Sequence, residues 1–313
     1  MLPETWIPHR RADGVVVGWI ELDGDDVAAF DLLGRRVTSH GCDWREAEQA
    51  LDGRGIGYLA DQYTLALDDG FLPVRIGEAT TEHVTVVADE LGGASVIGAE
   101  PPTHVLPFPV PRGLLRDYVR PRVDLGTWLD AEGRPIEYGS VYWDEVEPDA
   151  AVYSTCAHPE RFEPVALVAR ALLDHLERRY DVERAEDPGD GRTRITLTPR
   201  HGGGAALSMT LPLPGRPGVE VGAGFRYRGR WPDCGCDACD DSVPDLLDDL
   251  ETVVFAIVEG TMTEWGSGPD RDHLWWEHVE FEDLTRQSGS SREPVAGLPT
   301  APHRWPAWPV RTD

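Results

Sequence analysis

The sequence contains no lysine and no asparagine, so all 29 of its basic residues are arginine. Without lysine there can be no Schiff base, no P-loop lysine, no kinase-type phosphate-binding lysine and no Ser-Lys nucleophile pair. Without asparagine there is no acceptor for N-glycosylation. The codon bias of a GC-rich genome accounts for both absences. Apolar runs are short as well. None is long enough to cross a bilayer, and the opening MLPETWIPHRRADG lacks the apolar stretch of a secretion signal. These features set the expectation of a cytoplasmic protein. Positive charge is scarce, with 29 basic against 56 acidic residues and a formal charge of −27. Such a chain repels phosphate backbones and anionic lipid, so nucleic acid and membranes are excluded as partners, and any protein partner is expected to be basic. Acidity of this degree also serves solubility.

What is present is enough for a full core. The 313 residues are 41% hydrophobic, with 11 Trp, 8 Tyr and 7 Phe, and at roughly 100 to 200 residues per domain the length favours two domains. Between Gly14 and Val105 the pattern is one of short strands: GVVVGWIEL, VAAFDLL, YTLAL, FLPVRIGEA and HVTVVADEL. Asp69-Gly70, between YTLAL and FLPVRI, predicts a tight hairpin. One helix interrupts, DWREAEQALDGRG, with Asp43 as N-cap and Gly53 or Gly55 as its end. The stretch Pro101–Pro121 carries six prolines and predicts an extended connector or domain boundary. EYGSVYWDEVE alternates like a strand that enters the next domain.

In HPERFEPVALVARALLDHLERRYDV the residues Phe162, Val165, Val168, Ala169, Leu172, Leu176 and Tyr180 recur at helical spacing, with Pro159 in the first turn. RTRITLTPR, AALSMTLPL and VEVGAGFRYRG then read as strands joined by HGGG and PGRPG turns. A second helix is predicted from about Pro244 to Trp265, opened by a capping box of Ser242 and Asp245, with Leu246, Leu250, Val253, Val254, Ile257 and Val258 as its buried stripe. HLWWEHVEFEDL adds a strand or a short helix, and the Ser/Pro-rich end has the composition of a disordered tail in which Trp305 and Trp308 are the residues able to dock. The expected fold class is α+β. A β-rich antiparallel domain with one helix spans residues 1–112, a connector and entering strand 113–150, an antiparallel sheet with helices on one face 151–285, and the tail 286–313.

Three of the five cysteines fall in WPDCGCDACDDSVPDLLDDL, as C-x-C-x-x-C at Cys234, Cys236 and Cys239. This spacing lets three thiolates from one tight loop converge on a tetrahedral zinc, and the positive end of the following helix favours thiolates. The crowd of aspartates opposes thiolates unless a cation is present. Candidates for a fourth ligand are His158, Cys156, His201 and the neighbouring aspartates. Four protein ligands make a structural site, whereas a bound water makes a catalytic one. A redox reading rests on Cys236-Asp237-Ala238-Cys239 before a helix, but the third cysteine and the aspartates depart from a thioredoxin-like context. His201-Gly202-Gly203-Gly204 is similar to the oxyanion loop of lipases, yet no G-x-S-x-G elbow exists, and the glycines are better assigned to a turn. His273, Glu277 and His278 match neither zincin nor inverzincin spacing. His175, beside Leu172 and Leu176, reads as a structural residue of its helix.

The segment from Ser154 to Phe162, with its HPERF motif, taken together with CGCDAC at Cys234–Cys239, resembles an uncharacterised domain-of-unknown-function family from actinobacteria, over roughly residues 150 to 265. The resemblance implies no activity. In that pattern position 156 is not a cysteine, which favours His158 as the fourth ligand. The N-terminal part is similar to actinobacterial proteins of unknown function. The sequence therefore predicts a non-catalytic, zinc-stabilised binding or adaptor protein. The alternatives are a zinc-dependent hydrolase with an open fourth position and an acidic, immunity-type inhibitor of a basic toxin.

Overall fold

The computed structural model describes residues 2–23, 26–38, 42–67, 70–89, 101–111, 113–139, 153, 155–212, 217–270, 274–282, 287–293 and 297–311. The chain forms two compact units, Met1–Arg120 with Pro309–Asp313, and Pro121–Trp308. Both combine antiparallel sheets with helices, which makes the fold α+β.

In the first unit, β1 (Ile7–Arg10), β2 (Val16–Asp23) and β3 (Asp26–Phe30) form a three-stranded meander. Helix α1 (Trp44–Arg54) packs Ala47 and Leu51 against Val17, Ile20, Val27 and Ala29 of that sheet. Its ends follow the sequence: Asp43 and Glu46 form a reciprocal capping box, and Gly55 closes the helix. A second sheet has the order β7-β6-β5-β4-β8, from β4 (Gln62–Leu67), β5 (Gly70–Ala79), β6 (His83–Ala88), β7 (Thr103–Pro107) and β8 (Leu115–Arg116). Leu67 faces Gly70 across the predicted hairpin, whose two turn residues lie outside the described residues. The proline-rich stretch is not open chain: it supplies β7 and β8, the two edges of this sheet, and the boundary between the two units falls at its end, after Arg120. Proline is tolerated there because an edge strand leaves one side of its backbone unpaired.

In the second unit, β9 (Trp128–Leu129) and β10 (Pro135–Ile136) form a small hairpin. Most of EYGSVYWDEVE lies outside the described residues. Pro159–Phe162 forms a 3-10 turn that runs into α2 (Glu163–Arg179). The helix buries every residue of the predicted stripe except half-buried Tyr180. A five-stranded meander follows, from β11 (Val182–Gly189), β12 (Arg192–Pro199), β13 (Leu207–Leu211), β14 (Val219–Ala223) and β15 (Tyr227–Trp231). VEVGAGFRYRG, expected as one strand, is therefore a hairpin that turns at Gly224-Phe225-Arg226. Helix α3 (Val243–Val258) packs on α2. It stops short of the predicted Trp265, because Gly260 takes φ 74° and the alternating residues after it continue as a strand.

That strand, β16 (Met262–Ser267), pairs with β17 (Trp275–Phe281) and β19 (His303–Arg304), and β17 pairs with β18 (Gln287–Ser291). The expected disorder of the C-terminal stretch does not hold for its described residues. Trp308 is 3% exposed, and it donates its backbone N–H to Val258 O at 2.8 Å and its indole N–H to Ala205 O at 2.8 Å. Two large rings in this stretch outweigh its polar composition.

Candidate metal centre

The Cys loop spans the gap between β15 and α3. At its start, Trp231 is buried and donates its indole N–H to Asp249 on α3 at 2.8 Å. At its end, the Ser242 hydroxyl accepts the Asp245 N–H at 3.4 Å, which is the forward half of the predicted capping box. Between these anchors the chain must turn tightly. Gly235 adopts φ 74°, a value that L side chains avoid, and Asp240 adopts φ 47°, which aspartate tolerates better than most residues.

The turn gathers thiols. The sulfurs of Cys234, Cys236 and Cys239 lie within 4.8 Å of one another, with Cys236 3.3 Å from Cys234 and 3.5 Å from Cys239. Cys236 is buried, Cys239 half-buried and Cys234 exposed. None of the five cysteines is in a disulfide. Burial alone would raise the Cys236 pKa, but contacts from the Cys234 and Cys239 thiols and the backbone N–H groups of Cys239 and Ala238 outweigh it and lower the value. Cys239 is pushed up to about 12, by burial first and by its two neighbouring thiols second. Three sulfurs gathered in one loop, with Cys236 easier to ionise than an ordinary cysteine and Cys239 harder, are a soft donor set that fits a thiophilic divalent cation of the zinc type.

A second segment braces the loop. Asp237 donates its backbone N–H to Thr155 O at 2.8 Å, and its carboxylate accepts the Ala157 N–H at 3.1 and 3.0 Å. The same carboxylate meets the Arg161 guanidinium at 3.4 Å. Arg161 is only 1% exposed and lies over the rings of Tyr138, at 3.7 Å, and Phe162, at 4.3 Å. Burial of the Tyr138 hydroxyl raises its pKa although Arg161 opposes this. Gly139 passes so near Ser242 that a Cβ would come within 2.5 Å of the serine Cβ. The HPERF turn thus joins the Cys loop to the chain around β10.

His158 lies outside the thiol group. Its Nε2 faces Leu129 O at 3.1 Å, its Nδ1 faces Glu160 at 3.4 Å, and its ring stands 5.2 Å from that of Trp128. Those contacts tie HPERF to β9. His201 is in the β12–β13 turn, largely exposed and 3.9 Å from Asp181. His175 is buried at 6.0 Å from the Phe255 ring, and His273 lies outside the described residues. His278 meets the Ser267 hydroxyl at 3.1 Å and stacks on Trp265, while Glu277 pairs with Arg226. The thioredoxin-like context is absent, since the loop follows a strand of an antiparallel sheet.

One buried carboxylate in this unit had no signal in the sequence. Glu264 is fully buried and accepts the backbone N–H groups of Phe225, Arg226 and Tyr227, at 2.8, 2.7 and 3.1 Å, and the indole N–H of Trp305 at 2.6 Å. It is the acceptor that shapes the β14–β15 turn, and its position between Thr263 and Trp265 in the sequence gives no sign of that role.

The chain belongs to a family of unknown function (DUF6226), whose pattern matches residues 125–312. The matched span takes in the β9–β10 hairpin, the HPERF turn, the Cys loop and the C-terminal strands. No curated protein and no solved structure matches the chain. Among the described residues no helix is long and apolar enough to cross a membrane.

Proposed function

We propose that the second unit is a non-catalytic binding or adaptor module whose Cys loop holds a structural zinc through Cys234, Cys236 and Cys239. The observation that carries this reading is the convergence of three sulfurs within 4.8 Å in a loop braced on both sides. Zinc would neutralise the thiolates and so favour the tight turn over the unfolded loop. The polar groups around the thiols have bracing work: Asp237 holds Ala157 and Arg161, and His158 faces Leu129. That arrangement favours a structural role over a zinc-dependent hydrolase. The surplus of acid, −27 overall, suits a basic protein partner rather than nucleic acid or membrane. A cytoplasmic location, where thiols stay reduced, belongs to the same reading.

The test is turnover. Zinc-loaded protein is incubated with a panel of esters, phosphoesters and peptides beside the Cys236→Ser variant. The expected rates are equal and at background. Turnover present in the parent and lost in the variant would contradict a non-catalytic site.

A further inference from the structure

We infer that Cys156 is the fourth ligand of this centre, giving an all-thiolate Cys156-Cys234-Cys236-Cys239 set. The inference rests on the zinc reading above and deepens it. A structural zinc takes four protein ligands, and the Cys loop supplies three. The fourth must come from a segment fixed against that loop, and residues 155–157 are such a segment.

Thr155 O accepts the N–H of Asp237, the residue immediately after Cys236, at 2.8 Å. Ala157 N donates to the carboxylate of the same Asp237 at 3.0 Å. Cys156 is thus held on both sides by bonds to the residue that follows one ligand and precedes Cys239 by two positions. Only one hydrogen bond separates the peptide that carries Cys156 from the Cys236–Asp237 peptide. The Cys156 residue is half-buried in this segment.

Three of the other candidates are engaged elsewhere. Asp237 binds Ala157 and Arg161, His158 faces Leu129 O and Glu160, and His201 is exposed beside Asp181. The Cys156 sulfur itself stands outside the 4.8 Å group of the other three thiols. The inference therefore requires the Cys156 side chain to turn toward the set when zinc binds, a χ1 change between staggered rotamers. A fourth sulfur also suits the metal better than a carboxylate or water, because soft donors retain zinc most firmly.

The experiment is X-ray absorption at the zinc edge on the full chain, for the parent protein, Cys156→Ala and His158→Ala, with zinc content measured on each sample. The inference predicts four sulfurs at about 2.3 Å in the parent and in His158→Ala, and in Cys156→Ala three sulfurs plus one lighter ligand at about 2.0–2.1 Å. Cys156→Ala should also lose zinc to a chelator at least tenfold faster. A parent spectrum of three sulfurs and one nitrogen or oxygen would overturn the inference and leave zinc in place, and it does not depend on the variants folding. Protein that binds no zinc at all would overturn the zinc reading together with this inference.

Discussion

Arg161 and Asp237, 76 positions apart in sequence, form an ion pair at 3.4 Å in which the arginine is buried to 1% exposure between aromatic rings. A pair of this kind is asymmetric. Removing the carboxylate leaves a buried guanidinium without its counter-charge, which costs about 3–5 kcal/mol, whereas replacing both partners with apolar residues costs much less. Asp237→Ala also removes the acceptor of the Ala157 N–H. Urea unfolding should therefore show a loss of about 3 kcal/mol or more for Asp237→Ala. The double variant Arg161→Met/Asp237→Ala should be more stable than the sum of the two single losses, with a coupling of about 1 kcal/mol or more. Strict additivity would mean that the pair does not link the HPERF turn to the Cys loop.

In the first unit, Asp31 is fully buried and accepts the N–H groups of Leu33 and Arg35, at 2.9 and 3.0 Å, and the guanidinium groups of Arg35 and Arg54, at 3.0 and 3.1 Å. Burial pushes its pKa up, but the two arginines and the backbone donors more than offset this, and the folded value lies below the ordinary one. A depressed folded pKa gives stability that is present above the unfolded value of about 3.9 and is lost as pH falls from there through the folded pKa. The amides of β2 and β3 should lose exchange protection progressively below about pH 4. Asp31→Asn should be less stable at pH 7 and show a shallower acid dependence. Equal acid slopes in the two proteins would count against this assignment.

Glu264 serves four donors, so Glu264→Ala strands three backbone N–H groups and the Trp305 indole. Each unsatisfied buried group costs about 1–3 kcal/mol, which places the total above about 3 kcal/mol. Trp305→Phe removes one donor and should cost about 1 kcal/mol. At Gly224, where φ is 52° and a Cβ would meet Glu264 Oε2 at 2.1 Å, Gly224→Ala should destabilise the same turn. Unfolding curves that rank Trp305→Phe as worse than Glu264→Ala would contradict this account of the turn.

Trp308 anchors the chain up to its own position in the second unit. Trp308→Ala should cost about 3–5 kcal/mol, in the range of buried aromatic truncations. Thermal unfolding that is unchanged in this variant would return the stretch to a disordered role.

The sequence signals that held were those carried by local chemistry. Asp43 and Gly55 marked the ends of α1, periodicity marked α2, and C-x-C-x-x-C marked a loop whose thiols meet. The signals that misled concerned long-range packing. Prolines between 101 and 121 marked the boundary after Arg120 but hid β7 and β8, because local reasoning cannot tell an edge strand from an open chain. Ser and Pro after residue 286 suggested disorder because composition does not weigh what Trp308 gains by docking on Val258 and Ala205, and Trp305 on Met262 and Glu264. HPERF was visible as a motif, but its work, tying β9 and the chain around β10 to the Cys loop, depends on contacts between residues 29 and 76 positions apart.

The most direct measurement is the zinc content of purified protein by elemental mass spectrometry, beside its unfolding temperature, for the parent chain and Cys236→Ser. The account predicts one zinc per chain, lost in the variant and on chelation. A ligand at about a thousand times its Kd stabilises by about 4 kcal/mol, so the fall in Tm should be of the order of 10 °C. Parent protein purified without chelators that contains no metal, and whose Tm is the same as that of Cys236→Ser, would contradict the structural zinc on which the account rests.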